Sequence, residues 1–276
     1  GDGDGDGDGD GDGDGDGDGD GDGDGDGDGD LMFEVGFDVT NLDPTDQELF
    51  GLFLGGYGAP FLRGTATGIH DSIYCRSMAI GHGDEGLVLA VVDSVGMGNQ
   101  WTREIRDRAA MATGLSEDQL VIATTHTHAG PDFMGLWGSV PDGYRNRVID
   151  ETVSSMQMAW EAREPATIAA SATTADNNNR RGYDFTDDAL TVLQAFDEDD
   201  VLMGTMVSFA AHPTVLSESD KEISRDYAGY LVDRVEEQTG ATALYFNGLI
   251  GDVSPKVPPG DYADNFEEAD AYGTYL

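Results

Sequence analysis

Residues 121–131 read Val-Ile-Ala-Thr-Thr-His-Thr-His-Ala-Gly-Pro, an apolar, β-branched run that ends in two histidines one residue apart. Such a run predicts a buried strand, and Gly130-Pro131 stops it. Because residues i and i+2 of a strand point to the same side, His126 and His128 can converge where the strand opens into a loop. The chain has five histidines, and with two of them here we expect its chemistry at this strand end.

Apolar runs and helical patterns alternate along the rest of the chain. Strands are predicted at 33–40, 72–80, 86–92, 120–125, 167–174, 190–196, 202–210 and 243–246, and helices at 102–111, 142–164, 223–238 and 266–276. The continuous apolar run at 86–92 is typical of a strand buried on both faces. Gly114, Pro165 and Gly240 are predicted to end helices. The pattern predicts one large α/β domain, a layered mixed β-sheet with flanking helices.

Residues 1–30 are fifteen copies of Gly-Asp. A tract with no apolar side chain and self-repelling charge cannot form a core, so it is predicted to be a disordered, extended acidic linker. Calcium binding is the alternative, although strict Gly-Asp alternation lacks the apolar position of calcium-binding β-roll repeats. The ordered domain is therefore predicted at 31–276.

The charge balance is strongly acidic even without this tract. Removing its fifteen Asp residues from the 55 acidic residues leaves 40 acidic against 14 basic side chains, a net charge of −26 over residues 31–276. This balance disfavours nucleic acid and anionic membrane surfaces as partners. No run reaches 18 apolar residues, so no transmembrane helix is predicted.

The termini and the cysteine content give weaker indications. Cys75 is the single cysteine, which excludes an intrachain disulfide and leaves the redox compartment open. The sequence has no initiator Met and no signal peptide, so we expect a processed or trimmed N-terminus.

Three predicted strands deliver polar groups at their ends, in segments 121–128, 206–212 and 243–254. In open α/β sheets, ligands bind beyond the carboxyl ends of the strands. A catalytic zinc takes three protein ligands and an open position, and His126 and His212 could supply two of them. A histidine satisfied by a backbone carbonyl is the alternative. Asp93, at the end of another strand, binds either a backbone group or a second cation, and both alternatives stay open.

Thr125–Pro131 also resembles the Thr-His-Thr-His-Ser-Gly-Pro signature of the neutral/alkaline ceramidase family. Seven further segments resemble family segments in the same order, so that the resemblance covers residues 33–276. They are Val35-Gly-Phe-Asp-Val-Thr, Gly68-Ile-His, Asn179-Arg, Leu190-Thr-Val-Leu, Phe209-Ala-Ala-His, Ile223-Ser-Arg-Asp-Tyr-Ala-Gly-Tyr and Gly251-Asp-Val-Ser-Pro. Eight collinear matches are far more specific than any one of them.

The resemblance implies a zinc-dependent amide hydrolase that acts on ceramide or a similar N-acyl lipid. It implies that His126 and His212 are zinc ligands and that His128 contacts the substrate or the zinc-bound water. The resemblance also implies that Ser254 is a catalytic nucleophile or positioning group, and that Arg180 is a catalytic residue lining the pocket, with Arg181 as its alignment alternative. Asp252 and Arg181 are the candidate substrate-binding residues, and a loop-capping carboxylate is the alternative for Asp252.

This sequence departs from the family pattern at two positions and at its end. Arg181 replaces the family residue that follows Asn-Arg. Pro213 replaces the family residue that follows the histidine of the Phe-x-x-His segment. The family's remaining zinc ligands, a Glu and a Tyr, are expected beyond Leu276, so the catalytic domain as given is expected to be incomplete and to hold half a metal site. Either the full protein is longer, or this form binds zinc poorly and is itself inactive.

Two other functions remain open at this stage. One is a non-catalytic surface or binding protein that retains the fold, and the other is a zinc hydrolase of another amide or ester. Because family members are commonly secreted or surface-attached, we expect an extracytoplasmic location, with membrane or cell-surface attachment through an N-terminal anchor outside this sequence.

Overall fold

A computed structural model describes residues 33–58 and 62–276. The predicted Gly-Asp linker lies outside the described residues. The strands and helices are, in chain order, β1 (Phe33–Asn41), α1 (Asp46–Leu49), β2 (Gly68–Ile69), β3 (Tyr74–His82), β4 (Glu85–Val92), β5 (Gly96–Met97), α2 (Asn99–Thr113), β6 (Leu120–Thr124), β7 (Asp132–Phe133), α3 (Asp142–Glu161), β8 (Glu164–Thr174), β9 (Asn177–Asn179), β10 (Ala189–Phe196), β11 (Leu202–Phe209), β12 (Glu222–Ile223), α4 (Asp226–Thr239), β13 (Thr242–Asn247), β14 (Val253–Pro255) and α5 (Asn265–Tyr275).

Eight of the strands form one mixed sheet in the order β13-β11-β10-β8-β1-β3-β4-β6. Strands β4 and β6 are parallel, as are β11 and β13, and the other neighbours are antiparallel. The long strand β8 joins two halves of the sheet, because Glu164–Ala166 pair with β1 and Thr167–Thr174 pair with β10. The predicted layered mixed sheet with flanking helices is confirmed.

The two halves of the sheet pack against each other. Their shared core contains Val35, Met78 and Val91 from the first half and Ala195 and Leu244 from the second. Helices α2 and α3 cover the outer face of the first half, and α4 and α5 cover the outer face of the second. The result is a four-layer helix–sheet–sheet–helix arrangement, which buries apolar surface in three separate cores.

Strand β4 shows why its sequence is continuously apolar. Val88, Ala90 and Val92 lie in the core beneath α2 and α3, whereas Val91 lies in the core between the sheet halves. Successive side chains of a strand point to opposite faces, so both faces of this strand must be apolar. The prediction of a strand buried on both faces is confirmed here.

Three sequence-based details are wrong. Strand β6 is an edge strand of the described sheet, and Val121 is 42% exposed. Helix α3 ends at Glu161, and Pro165 lies within β8 opposite Glu34, so this proline begins a strand pairing instead of ending a helix. Helix α4 begins at Asp226, because β12 pairs with β2 immediately before it. Gly114 and Gly240 do end helices, both in the left-handed conformation.

None of the described helices combines the length and the apolar character that crossing a membrane would require.

Candidate metal centre

Three histidines converge beyond the ends of two strands. His126 and His128 follow β6, and His212 follows β11. Strand alternation does not bring the first two together, because β6 ends at Thr124 and His126 has a left-handed backbone with φ of 61°. The predicted strand alternation is therefore wrong, although the predicted convergence of the two histidines is observed. The loop, and not the strand, positions both rings.

The Nε2 atoms of the three rings face one another. His126 and His212 are 3.0 Å apart, His128 and His212 are 3.1 Å apart, and His126 and His128 are 3.4 Å apart. Two nitrogens bound to one tetrahedral zinc at about 2.0–2.1 Å lie about 3.3 Å from each other. The three rings therefore form a cluster with the spacing that a metal ion needs.

Hydrogen bonds at the opposite ring nitrogen distinguish the three histidines. Nδ1 of His126 donates to the carbonyl oxygen of Val95, and Nδ1 of His212 donates to that of Ile250 at 2.9 Å. A carbonyl can only accept, so both rings keep a lone pair on Nε2. Nδ1 of His128 is buried and has no partner among the described residues. Metal-binding histidines usually have such an outer partner, which His126 and His212 have and His128 lacks.

Burial favours the neutral form of these imidazoles. It lowers the pKa of His126 and His212, and it lowers that of His128 to about 2, with further contributions from the other two histidines, Arg63 and Arg180. Two lone pairs that face each other across about 3 Å repel unless a proton or a metal ion lies between them. The donor set therefore fits a divalent cation such as zinc.

Two polar side chains that the sequence interpretation missed hold the loops around this cluster. Asn247 Nδ2 donates to the carbonyl oxygens of Thr124 and Thr125, at 3.1 and 2.8 Å, and so ties β13 to the end of β6. The buried carboxylate of Asp226 accepts hydrogen bonds from the backbone of Val215 and Leu216, in the loop after His212. A polar residue directly after an apolar strand is the sequence signal that points to Asn247.

Tyr57 and Arg63 pack beside His128. The Tyr57 ring meets His128 edge-on, with 5.2 Å between ring centroids. The Tyr57 hydroxyl and Arg63 Nη2 both donate to the carbonyl oxygen of Leu216, at 2.6 and 2.8 Å. Arg63 is only 1% exposed, so its charge acts on the site through low-dielectric surroundings.

Among the predicted catalytic residues, Arg180 reaches the cluster. Its Nη2 donates to the carbonyl oxygen of Gly251 at 2.6 Å and lies 3.3 Å from Nδ1 of His212. Because that Nδ1 already donates to Ile250, Arg180 contributes its positive charge there and not a second hydrogen bond. Its alternative, Arg181, is exposed and lies 3.9 Å from the Asp252 carboxylate.

Ser254 and Asp252 lie on the segment whose backbone accepts hydrogen bonds from His212 and Arg180. Ser254 lies in β14, where its Oγ is 3.5 Å from the carbonyl oxygen of Asn178, and the adjacent Val253 accepts a hydrogen bond from the backbone of His212. Asp252 accepts hydrogen bonds from the side chain of Asn179 and the backbone of Arg180. The chemical roles predicted for both residues stay predictions.

Asp93 binds a backbone N–H group, which is one of the two alternatives left open by the sequence. Its carboxylate accepts a hydrogen bond from the backbone N–H of Tyr74 at 2.9 Å. Burial raises the pKa of this carboxyl to about 6, and Arg225 acts in the opposite direction.

A buried aspartate organises the loop that follows the histidine pair. The Asp132 carboxylate, which is fully buried, accepts hydrogen bonds from five backbone N–H groups between residues 134 and 139. Charge-assisted hydrogen bonds of this kind are stronger than neutral ones. This side chain therefore fixes a loop that would otherwise leave several partly buried donors without partners.

Replacing Asp132 with Ala is expected to lower the free energy of unfolding by about 3 kcal/mol, because each donor left without its acceptor carries a desolvation cost. Urea unfolding monitored by circular dichroism measures the change. Asp107→Ala, an exposed position on α2, is the matched control and should change stability by less than about 0.5 kcal/mol. Equal stability of the two variants would contradict the organising role.

The fold and the histidine cluster define an α/β protein with a candidate metal centre at its strand ends. Residues 40–270 match the family described as "Neutral/alkaline non-lysosomal ceramidase, N-terminal". The chain belongs to this family. The resemblance drawn from the eight collinear segments is therefore confirmed.

Similarity to individual proteins agrees with this. The chain is 24% identical over 233 residues to the neutral ceramidase of Pseudomonas aeruginosa, a match that covers 74% of this chain and 35% of that protein. It superposes on the crystal structure of neutral ceramidase from the same organism with a TM-score of 0.78 and 21% identity, covering 88% of this chain and 43% of the other. A structure described as ceramidase complexed with C2 gives the same TM-score, 0.78. The chain thus spans less than half the length of these relatives.

Proposed function

We propose that this protein is a zinc-dependent hydrolase that cleaves the N-acyl amide bond of ceramide or a similar lipid. The observation that carries the proposal is the convergence of three Nε2 atoms within 3.4 Å of one another, in a chain of the ceramidase family. His126 and His212 would hold the metal, because their outer nitrogens are fixed by backbone carbonyls. Further ligands from a Glu and a Tyr stay a prediction from the resemblance.

A bound zinc ion supplies Lewis-acid polarisation of the amide carbonyl and lowers the pKa of coordinated water. No outer hydrogen bond to a described residue fixes the tautomer of His128, so its Nε2 can either donate a hydrogen bond to a substrate oxygen or accept one. The guanidinium of Arg180, held by Gly251, orients the substrate carbonyl and offers positive charge where an oxyanion develops. Whether Ser254 attacks or positions the substrate stays open.

The test uses the complete gene product. We expect it to contain zinc by elemental analysis and to release fatty acid from ceramide. A strong chelator should reduce release to the rate of the uncatalysed control, and added zinc should restore it. Retained hydrolysis in the zinc-free protein would contradict the metal mechanism.

A substrate panel separates the alternatives. Hydrolysis of other N-acyl amides or esters in preference to ceramide would change the substrate class. Zinc binding without hydrolysis of any of them would favour a binding protein that retains the fold.

We also propose an extracytoplasmic location, supported by the family resemblance. Fractionation of cells that express the complete gene tests it, and recovery in the cytosolic fraction alone would contradict it.

A further inference from the structure

Five large exposed apolar side chains lie on three loops that also carry residues next to the candidate metal centre. Loop 134–139 carries Met134 and Leu136, loop 180–186 carries Tyr183 and Phe185, and loop 248–252 carries Leu249. These five side chains, here named the apolar rim, are between 43% and 74% exposed. Single exposed apolar residues are ordinary on protein surfaces, but a cluster around a site marks an interaction surface.

Each rim loop has a residue that lies beside the histidine cluster. In loop 134–139, Met134 lines a cavity of about 350 Å³ together with His126. In loop 248–252, the carbonyl oxygen of Ile250 accepts a hydrogen bond from His212. In loop 180–186, Arg180 lies beside that same histidine. Each of the three loops that carry the rim is therefore adjacent to the site.

Two of the five rim side chains are aromatic. Tyr183 and Phe185 stack on each other, with 5.8 Å between ring centroids, and remain exposed. Aromatic rings favour the headgroup level of a bilayer, and aliphatic side chains beside them enter the acyl layer.

The charge of the rim loops selects the kind of lipid surface. The three loops contain two basic residues, Arg180 and Arg181, and two acidic residues, Asp184 and Asp252. Anionic headgroups are normally bound by clusters of four or more Lys or Arg, and residues 31–276 carry a net charge of −26, with 40 acidic and 14 basic side chains. Binding must therefore come from apolar contact with an uncharged or zwitterionic surface.

We propose that the apolar rim docks the protein onto a zwitterionic lipid surface, so that an N-acyl lipid passes from that surface to the histidine cluster. Only the identification of the transferred lipid as an N-acyl lipid rests on the proposed function. The docking step itself depends only on the rim, and it can be measured without turnover.

The experiment measures flotation of the complete gene product with phosphatidylcholine vesicles that contain no substrate. The wild type is expected to float with the vesicles. Leu249→Glu and Phe185→Glu should bind at least about tenfold more weakly, because each places a charge in the apolar layer. Met111→Glu is the matched control, since Met111 is 78% exposed on α2 and should bind as the wild type does.

A second measurement separates docking from chemistry. The rim variants should hydrolyse a water-soluble short-acyl ceramide at the wild-type rate but lose at least about tenfold on ceramide embedded in vesicles. Three outcomes would overturn the proposal: no wild-type flotation, flotation only with anionic lipid, or unchanged binding by both rim variants. A wild-type oligomer that the rim variants dissociate, without vesicle binding, would identify a protein partner instead. Failure to hydrolyse any ceramide would contradict the proposed function, whereas vesicle flotation of the wild type would still support the docking step.

Discussion

His126→Ala and His212→Ala are each expected to weaken zinc binding by more than about a hundredfold, whereas His128→Ala keeps zinc affinity within about tenfold of the wild type. The reason lies in the outer hydrogen bonds. Val95 and Ile250 accept from Nδ1 of the first two histidines, which presents an Nε2 lone pair to the metal. His128 has no such partner among the described residues. Its removal should abolish turnover while leaving metal affinity nearly intact.

Competition titration against a chromophoric chelator measures these affinities in the purified protein. His70→Ala is the matched control, because His70 stacks on Phe266 with 3.7 Å between ring centroids and belongs to a different cluster. Zinc affinity of the His212 variant equal to that of the wild type would rule out its ligand role. A loss in the His128 variant as large as in the other two would make His128 a third ligand.

Local sequence patterns predicted most of the fold. The apolar run of β4 and the glycine stops after α2 and α4 reflect constraints between neighbouring residues, namely pleating and the left-handed cap. The packing of one half of the sheet on the other depends on a core shared by residues such as Val91 and Leu244, which are distant in sequence. Periodicity within a segment does not show which distant residues pack against it.

The candidate site was predicted in its residues but not in its geometry. His126, His128 and His212 were identified by spacing and resemblance, and the structure brings their rings together. The left-handed backbone of His126 and the hydrogen bonds from Asn247 to Thr124 and Thr125 could not be inferred. A left-handed conformation is unusual for a residue other than glycine, and hydrogen bonds between distant segments follow no local pattern.

Gly56→Ala is expected to lower kcat/KM by about a hundredfold, because small displacements of a catalytic group have effects of this size. A Cβ at Gly56 would lie 2.3 Å from Cγ and 2.4 Å from Nδ1 of His128, and the backbone φ is +98°. His128 cannot retreat freely, since it is buried and its backbone N–H donates to Pro213. The added methyl group must therefore turn the ring of His128 or shift the loop that carries Gly56.

Gly58→Ala provides the matched control two residues away, because a Cβ there meets no heavy atom of the described chain within 4 Å. Its activity should equal that of the wild type. Strain at a positive φ costs about 1–3 kcal/mol, so unfolding of Gly56→Ala must be measured and the assay run well below its melting temperature. If His128 acts on substrate without binding metal, Gly56→Ala retains wild-type zinc affinity while turnover falls. If turnover stays within about threefold of the wild type, the loop has moved to accommodate the methyl group, because a displaced catalytic group would cause a much larger decrease.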